Sequence, residues 1–175
     1  RVGGPGGAQL SQARRQSMQR RTYSTVPKWE AAAGYSRAVR IGNIVETSLT
    51  SAALPTGEIL HVGDVYGQTK ESIRICGEAL AALGASFADV IKTRIYMLDT
   101  KQWLDAGRAH AETFAAIRPA ISFIGVSGFF QHAIYPMLSE MHVTSPERLP
   151  TVCRKVMRYL LMGAFPISAS LPTPS

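Results

Sequence analysis

The chain has 175 residues, 46% of them hydrophobic and 18% charged, enough for one domain with an ordinary packed core. That balance excludes collagen-like, coiled-coil and wholly disordered chains, and no apolar run is long enough to cross a membrane as a helix. The net charge of +7 comes from 19 basic and 12 acidic side chains, and its location decides what it means.

Six of the basic residues (Arg1, Arg14, Arg15, Arg20, Arg21 and Lys28) fall in residues 1–28, which hold no Asp or Glu. The remaining 147 residues carry 13 basic and 12 acidic side chains. A groove for phosphates needs cations clustered on the fold, and these are scattered, so no nucleic-acid partner is expected. Residues 1–28 match a transit-peptide-like, basic, disordered segment. Arg20-Arg21-Thr22-Tyr23 resembles a mitochondrial processing pattern with cleavage after Arg-x-Tyr. The expectation is a mitochondrial protein, with a cytoplasmic one bearing a basic tail as the alternative. Two cysteines, Cys76 and Cys153, make no disulfide framework.

The expected domain, residues 29–145, reads as alternating strands and helices. Ala38–Ile41 and Ile44–Thr50 flank Gly42-Asn43, a tight hairpin turn. The turn residues Leu54-Pro55-Thr56-Gly57 lead into a short strand over Glu58–Val62. Asp64 is placed to cap a helix reaching Leu83, with Gly84 ending it. Its apolar face is Val65, Thr69, Ile73, Cys76, Leu80 and Leu83. Val90–Leu98 alternates as a half-exposed strand, with Ile91, Thr93, Ile95 and Met97 on one side.

A second helix starts at Asp99 or Thr100, buries Trp103, Ala106, His110 and Phe114, and stops at Arg118-Pro119. Strands follow at Ala120–Val126 and Tyr135–Val143. Neither helix can cover its apolar face without a sheet, so the fold class is α+β with two layers.

Beyond Ser145, Leu149, Val152, Cys153, Val156, Leu160 and Leu161 recur at helical spacing beside Arg154, Lys155 and Arg158. This C-terminal extension, 146–175, is basic and amphipathic over 149–162. It fits packing on its own assembly, contact with a membrane surface or protein partner, or translated non-coding sequence.

Several chemistries lack their residues. His61, His110, His132 and His142 have no zinc-type spacing, and there is no P-loop or dinucleotide fingerprint. Neither metal nor cofactor is expected. His110 and Glu112, two apart on a helix, point different ways. His110 fits a structural histidine or a catalyst. Glu140 shares a strand face with Leu138 and His142 by alternation, and fits a general base, an interface carboxylate or an exposed residue.

Taken together, these pieces resemble one family. Ala33-Gly34-Tyr35-Ser36-Arg37-Ala38 is similar to the Gly-Pro-Tyr-Ser-x-Ala opening of the YjgF-type reactive-intermediate deaminases, also called the L-PSP endoribonuclease family. Thr56-Gly57-Glu58 and Asp89-Val90-Ile91-Lys92-Thr93 match its hairpin and its Asp-Val-Val-Lys strand. Pro119-Ala120 and Ser139-Glu140-Met141 fall where the family has Pro-Ala-Arg-Ser and x-Glu-Ile-Glu. The resemblance implies a chorismate-mutase-like fold, with a mixed six-stranded sheet and two helices on one face, assembled as a homotrimer. Small ligands would sit in clefts between subunits.

It further implies hydrolysis of reactive enamines or imines to a 2-keto acid and ammonia. Carried across, Tyr35 lines the pocket and Glu140 is tied to the attacking water. The substrate-gripping arginine of the family is absent: Ile121 follows Pro119-Ala120. Thr47-Ser48-Leu49 replaces a Ser-Gly-Gln strand, so Ser48 stands where a glycine lets substrate approach. Gly107 stands where the family often has asparagine, in a stretch similar to the Gly-Arg-Ala-His-Gly-Glu of a branch without the arginine. The expected site is thus Tyr35, Ser48, Gly107, Ile121 and Glu140. Standard deamination of 2-imino acids is disfavoured. A non-catalytic binding or structural subunit is the alternative, and the endoribonuclease reading a remote one.

Overall fold

A computed structural model describes residues 19–25, 27–129 and 136–144. The chain divides into two units, 1–145 and 146–175; the second, with the expected contact segment 149–162, lies outside the described residues, as do Arg1–Met18 of the basic segment. Along the chain run β1 (Arg20–Tyr23), α1 (Pro27–Ala33), β2 (Ala38–Ile41), β3 (Ile44–Thr47), α2 (Val65–Ala82), β4 (Val90–Met97), α3 (Trp103–Phe114), β5 (Ala120–Gly125) and β6 (Pro136–Thr144). The strands form one sheet in the order β1-β2-β3-β6-β4-β5. Only β4 and β5 are parallel, joined by the α3 crossover; every other neighbouring pair is antiparallel.

The α2 helix forms as its sequence dictates. The Asp64 carboxylate accepts the Gly67 N–H at 2.9 Å, satisfying one of the donors a helix start leaves open. At the far end, Gly84 takes the left-handed φ of 73°, and Ala85 N–H reaches back to Leu80 O at 2.9 Å. Two arginines from the sheet complete the cap. Arg21 donates to Ala82 O at 3.4 Å, and Arg40 donates to Leu83 O at 2.9 Å and Gly84 O at 3.3 Å. Cations at the negative end of the helix are favourable.

The core lies between helices and sheet. Val65, Ile73, Cys76, Leu80 and Leu83 of α2 and its cap are buried with Val45, Ile95, Met97, Phe114, Met141 and Val143.

Four expectations are corrected. Residues 20–23, which composition assigned to a disordered segment, pair with β2 from Arg20↔Ile41 to Tyr23↔Ala38, and Tyr23 packs against the core. Residues 27–33, also partly assigned to that segment, form α1. A four-residue strand reading Arg-Arg-Thr-Tyr carries no apolar alternation of its own; its partner strand makes it. Glu58–Val62 is not a strand beyond a single bridge, Ala53↔Ile59. Left-handed residues at Gly57, His61 and Gly63 break the extended chain there. Finally, register shifts around Lys92 put Val90 in the core and leave Ile91 exposed, as a bulge does when it inserts an extra residue.

Replacing Arg40 by Met keeps its aliphatic stem but strips three carbonyls, of Gly42, Leu83 and Gly84, of a donor. Urea denaturation should show a loss of about 1–2 kcal/mol, with the midpoint lower and the slope unchanged.

Candidate functional site

The expected site residues fall into two groups. The first gathers where β2 begins and β3 ends. Gly34, at φ 68°, turns the chain out of α1, and Tyr35 N–H bonds to Glu30 O at 3.0 Å. The Tyr35 side chain is left 38% exposed. Ser48 is pinned twice: its N–H reaches Arg37 O at 2.8 Å, and its hydroxyl donates to Ser36 O at 2.7 Å.

Arg37 is the hub of this corner, and sequence reasoning missed it. Its guanidinium donates to Thr25 Oγ1 (3.2 Å), Leu49 O (3.3 Å) and Thr50 Oγ1 (3.0 Å). Thr25 in turn gives its N–H to the buried Glu30 carboxylate at 2.9 Å. Only its place beside Tyr35 and Ser36 in the motif could have singled it out. Behind the corner lies Cys76, whose thiol burial pushes up from its ordinary range while Thr50 and Thr47 beside it pull the other way. It is a buried core residue rather than a nucleophile.

Glu140 belongs to this group through its backbone. The β3–β6 register pairs Ile44↔Thr144 and Val45↔Val143. Met141 N–H donates to Thr47 Oγ1 at 3.1 Å in line with it, which brings the chain beside Glu140 to the end of β3. On its other side β6 shifts between Arg94↔Ser139 and Lys92↔His142. Leu138 lies opposite Ile95 and His142 opposite Lys92, positions on different faces of β4. The expected common face of Leu138, Glu140 and His142 is therefore broken by the irregularity.

The second group is at the far edge of the sheet. Ile121 lies on β5 beside Thr93 and is 39% exposed. Phe123, two residues on, shares its face. Above them runs α3, where Trp103 stands edge-on to Phe123 with centroids 6.0 Å apart. Trp103 was expected inside, yet it is 49% exposed, because among the described residues no strand lies beyond β5 to cover it. Gly107 sits one turn later on the same face.

That glycine differs from the two in α2. A Cβ on Gly67 would lie 2.5 Å from Asp64 Oδ2, and one on Gly77 2.4 Å from Phe87 Cζ, so packing forbids both. On Gly107 it would meet Phe123 Cζ at 3.7 Å and Trp103 Cε3 at 3.9 Å, which are ordinary contacts. Packing permits a side chain where the sequence has none.

His110 is turned inward. Its Nε2 pairs with Thr93 Oγ1 at 2.9 Å, its ring stacks on Phe114 with centroids 4.5 Å apart, and burial lowers its pKa to about 4. It is therefore neutral near pH 7. Glu112 instead faces outward and joins α3 to α2, accepting Tyr66 Oη–H at 2.5 Å and pairing with Lys70 at 3.0 Å. Those two partners hold its carboxyl below the ordinary value. The two residues do diverge, as their spacing requires. Among the described residues no three His, Cys, Asp or Glu side chains converge as a metal site.

Within one chain the two groups do not meet. Strands β3, β6, β4 and β5 lie between them in order, three strand spacings or about 14 Å.

Comparison with known proteins places the chain in a known family. The endoribonuclease L-PSP family model matches residues 25–134. The chain is 35% identical over 116 residues to an uncharacterized protein, SCO2049, of Streptomyces coelicolor, spanning 66% of this chain and 84% of that one. It is 28% identical over 111 residues to the 3-aminoacrylate deaminase RutC of Acinetobacter baylyi, spanning 63% and 88%. The crystal structure of Rv2704 from Mycobacterium tuberculosis, a member of the YjgF/YER057c/UK114 family, superposes with a TM-score of 0.65 at 34% identity, covering 73% of this chain and 100% of that one. The protein belongs to this YjgF, or L-PSP, family.

Two outcomes follow. Gly107→Ala should stabilise the fold by about 0.5–1 kcal/mol, since alanine is the better helix former and its methyl fits; thermal melting measures it. Between pH 6.5 and 4 an unfolded chain binds a proton at His110 that the folded chain refuses. Stability from this residue is complete above 6.5 and declines as pH falls toward 4, by about 3 kcal/mol at most. Urea unfolding at several pH values should show a shallower acid loss in His110→Gln.

Proposed function

We propose that the protein acts on small reactive imines, enamines or related carbonyl compounds in clefts between subunits of a homotrimer. Tyr35, Ser48 and Glu140 of one copy face Ile121 and Gly107 of a neighbour. The observation that carries this reading is the separation of the two groups across the sheet, with Tyr35 and Ile121 both exposed. Residues three strands apart build one pocket only when a second copy brings them together. The deaminase named among the relatives supports the chemistry. The leader-like composition of the N-terminal residues supports a mitochondrial location.

The reaction is hydrolysis. Water oxygen bonds to the carbon of C=N, the C–N bond breaks, and ammonia leaves with the proton that Glu140 takes from the water and passes on. A bidentate arginine would fix a substrate carboxylate; Ile121 offers neither charge nor donor. Such a pair is worth roughly 1.5–3 kcal/mol, about ten- to a hundredfold in affinity. Standard 2-imino acid deamination is correspondingly weak here. A binding role without turnover is the second reading, favoured by the same isoleucine.

An amino-acid oxidase acting on alanine supplies 2-iminopropanoate, and semicarbazide traps what is left. Wild-type protein should clear it slowly, Ile121→Arg at least tenfold faster, and Ile121→Arg combined with Glu140→Gln not at all. Sedimentation should give three copies. A monomer, or an Ile121→Arg variant no faster than wild type, would overturn the proposal.

A further inference from the structure

The edge of the sheet carries a surface whose composition is one-sided. Trp103 and Phe123 stand edge-to-face over Gly107, Ile121 continues the wall along β5, and Trp103 and Ile121 are both open to solvent. Among the described residues no cation lies on β5 itself. His110, one turn after Gly107, is buried against Thr93 and Phe114. The cation of α3 on its outer side, Arg108, is spent on Asp105 and on the face of Tyr66. On the β4 side Lys92 and Arg94 occupy the opposite sheet face from Thr93 and Ile95. Arg118 follows the helix, exposed, ahead of Pro119.

Gly107 adds an independent observation. Unlike Gly67 and Gly77 it is not required by packing, and a glycine inside a helix is unfavourable relative to alanine. Beside the two rings the glycine leaves room for about one methyl group that the chain does not fill. Aromatic rings pair best edge-on or offset, and the exposed flank of Trp103 beside Gly107 leaves a face for a third ring.

We infer that Trp103, Gly107, Ile121 and Phe123 form a subsite for the uncharged, aromatic substituent of the ligand. The inference rests on the proposed cleft and names its substrate class: imines of the form R–CH=NH with R an arylalkyl group and no carboxylate. Hydrolysis adds water across C=N and releases R–CHO and ammonia, with no redox change and no co-reactant.

The test uses three imines trapped by semicarbazide. A flavin amine oxidase on 2-phenylethylamine supplies the neutral aromatic one, and an amino-acid oxidase supplies the anionic pair from phenylalanine and alanine. Wild-type protein should clear the neutral imine at least tenfold faster than the phenylalanine-derived one. Ile121→Arg should reverse that order. Gly107→Leu should lose tenfold or more on the neutral imine, and Gly107→Ala, which the helix accommodates, a few-fold without a lower melting temperature. Equal or faster clearance of the anionic imines by wild type overturns the subsite while leaving hydrolysis standing.

If no imine is cleared, hydrolysis falls, and binding decides the subsite separately. In a Trp29→Phe background Trp103 is the sole tryptophan. Its emission should shift with 2-phenylacetamide at concentrations at least tenfold below those needed for phenylacetate, and the response should vanish in Gly107→Leu. No shift, or equal response to the anion, overturns the inference.

Discussion

The insertion of β6 between β3 and β4 governs this structure. It makes one sheet out of an N-terminal hairpin and a C-terminal crossover unit, and its backbone is bonded on both sides. It also holds apart two sets of polar and apolar groups that the sequence invites one to join. The corner built on Tyr35, Arg37 and Ser48 and the wall built on Ile121 and Gly107 are rigid, each for local reasons. The corner is fixed by a guanidinium that donates to three oxygens. The wall is fixed by ring packing and by a helix whose inner histidine is neutral. Halves held three strands apart are what the proposed assembly needs, since each copy would then bring its corner to a neighbour's wall.

The central elements were legible in the sequence because local signals agree there. The cap at Asp64, the glycine at 84 and the apolar stripe of α2 all specify the same helix, and the structure has it. β4 was legible as a strand, but not its inward face at Val90, since a bulge depends on the partner strand's register and not on the sequence around it. Strand β1 was illegible for a related reason. Two arginines and a threonine carry no pattern, and their value emerges only against β2 and the end of α2. The expected strand at Glu58–Val62 failed through His61, a residue whose type tolerates the left-handed region but adopts it too rarely to foretell it.

The site was legible in parts. Tyr35, Ser48, Glu140, Gly107 and Ile121 came from resemblance, and the structure sorts them into two places rather than one. Trp103 was read as core because helical periodicity says which face is inner, and says nothing about how far the sheet beneath extends. At the sheet edge the inner face is half open. Arg37 was overlooked because an arginine in a strand-start motif has many uses, and its three acceptors lie in two segments far from each other, at Thr25 and at Leu49-Thr50.

The edge strand β1 has a consequence for how the N-terminal residues can be trimmed. The bond after Tyr23, marked by an Arg-x-Tyr pattern, closes a strand whose last side chain packs on the core and whose second arginine caps a helix. Scission at that bond would detach the outermost ribbon of the sheet and lay bare the backbone of β2, a bare edge that invites foreign strands. A trimmed chain that retains this architecture must begin upstream of Arg20.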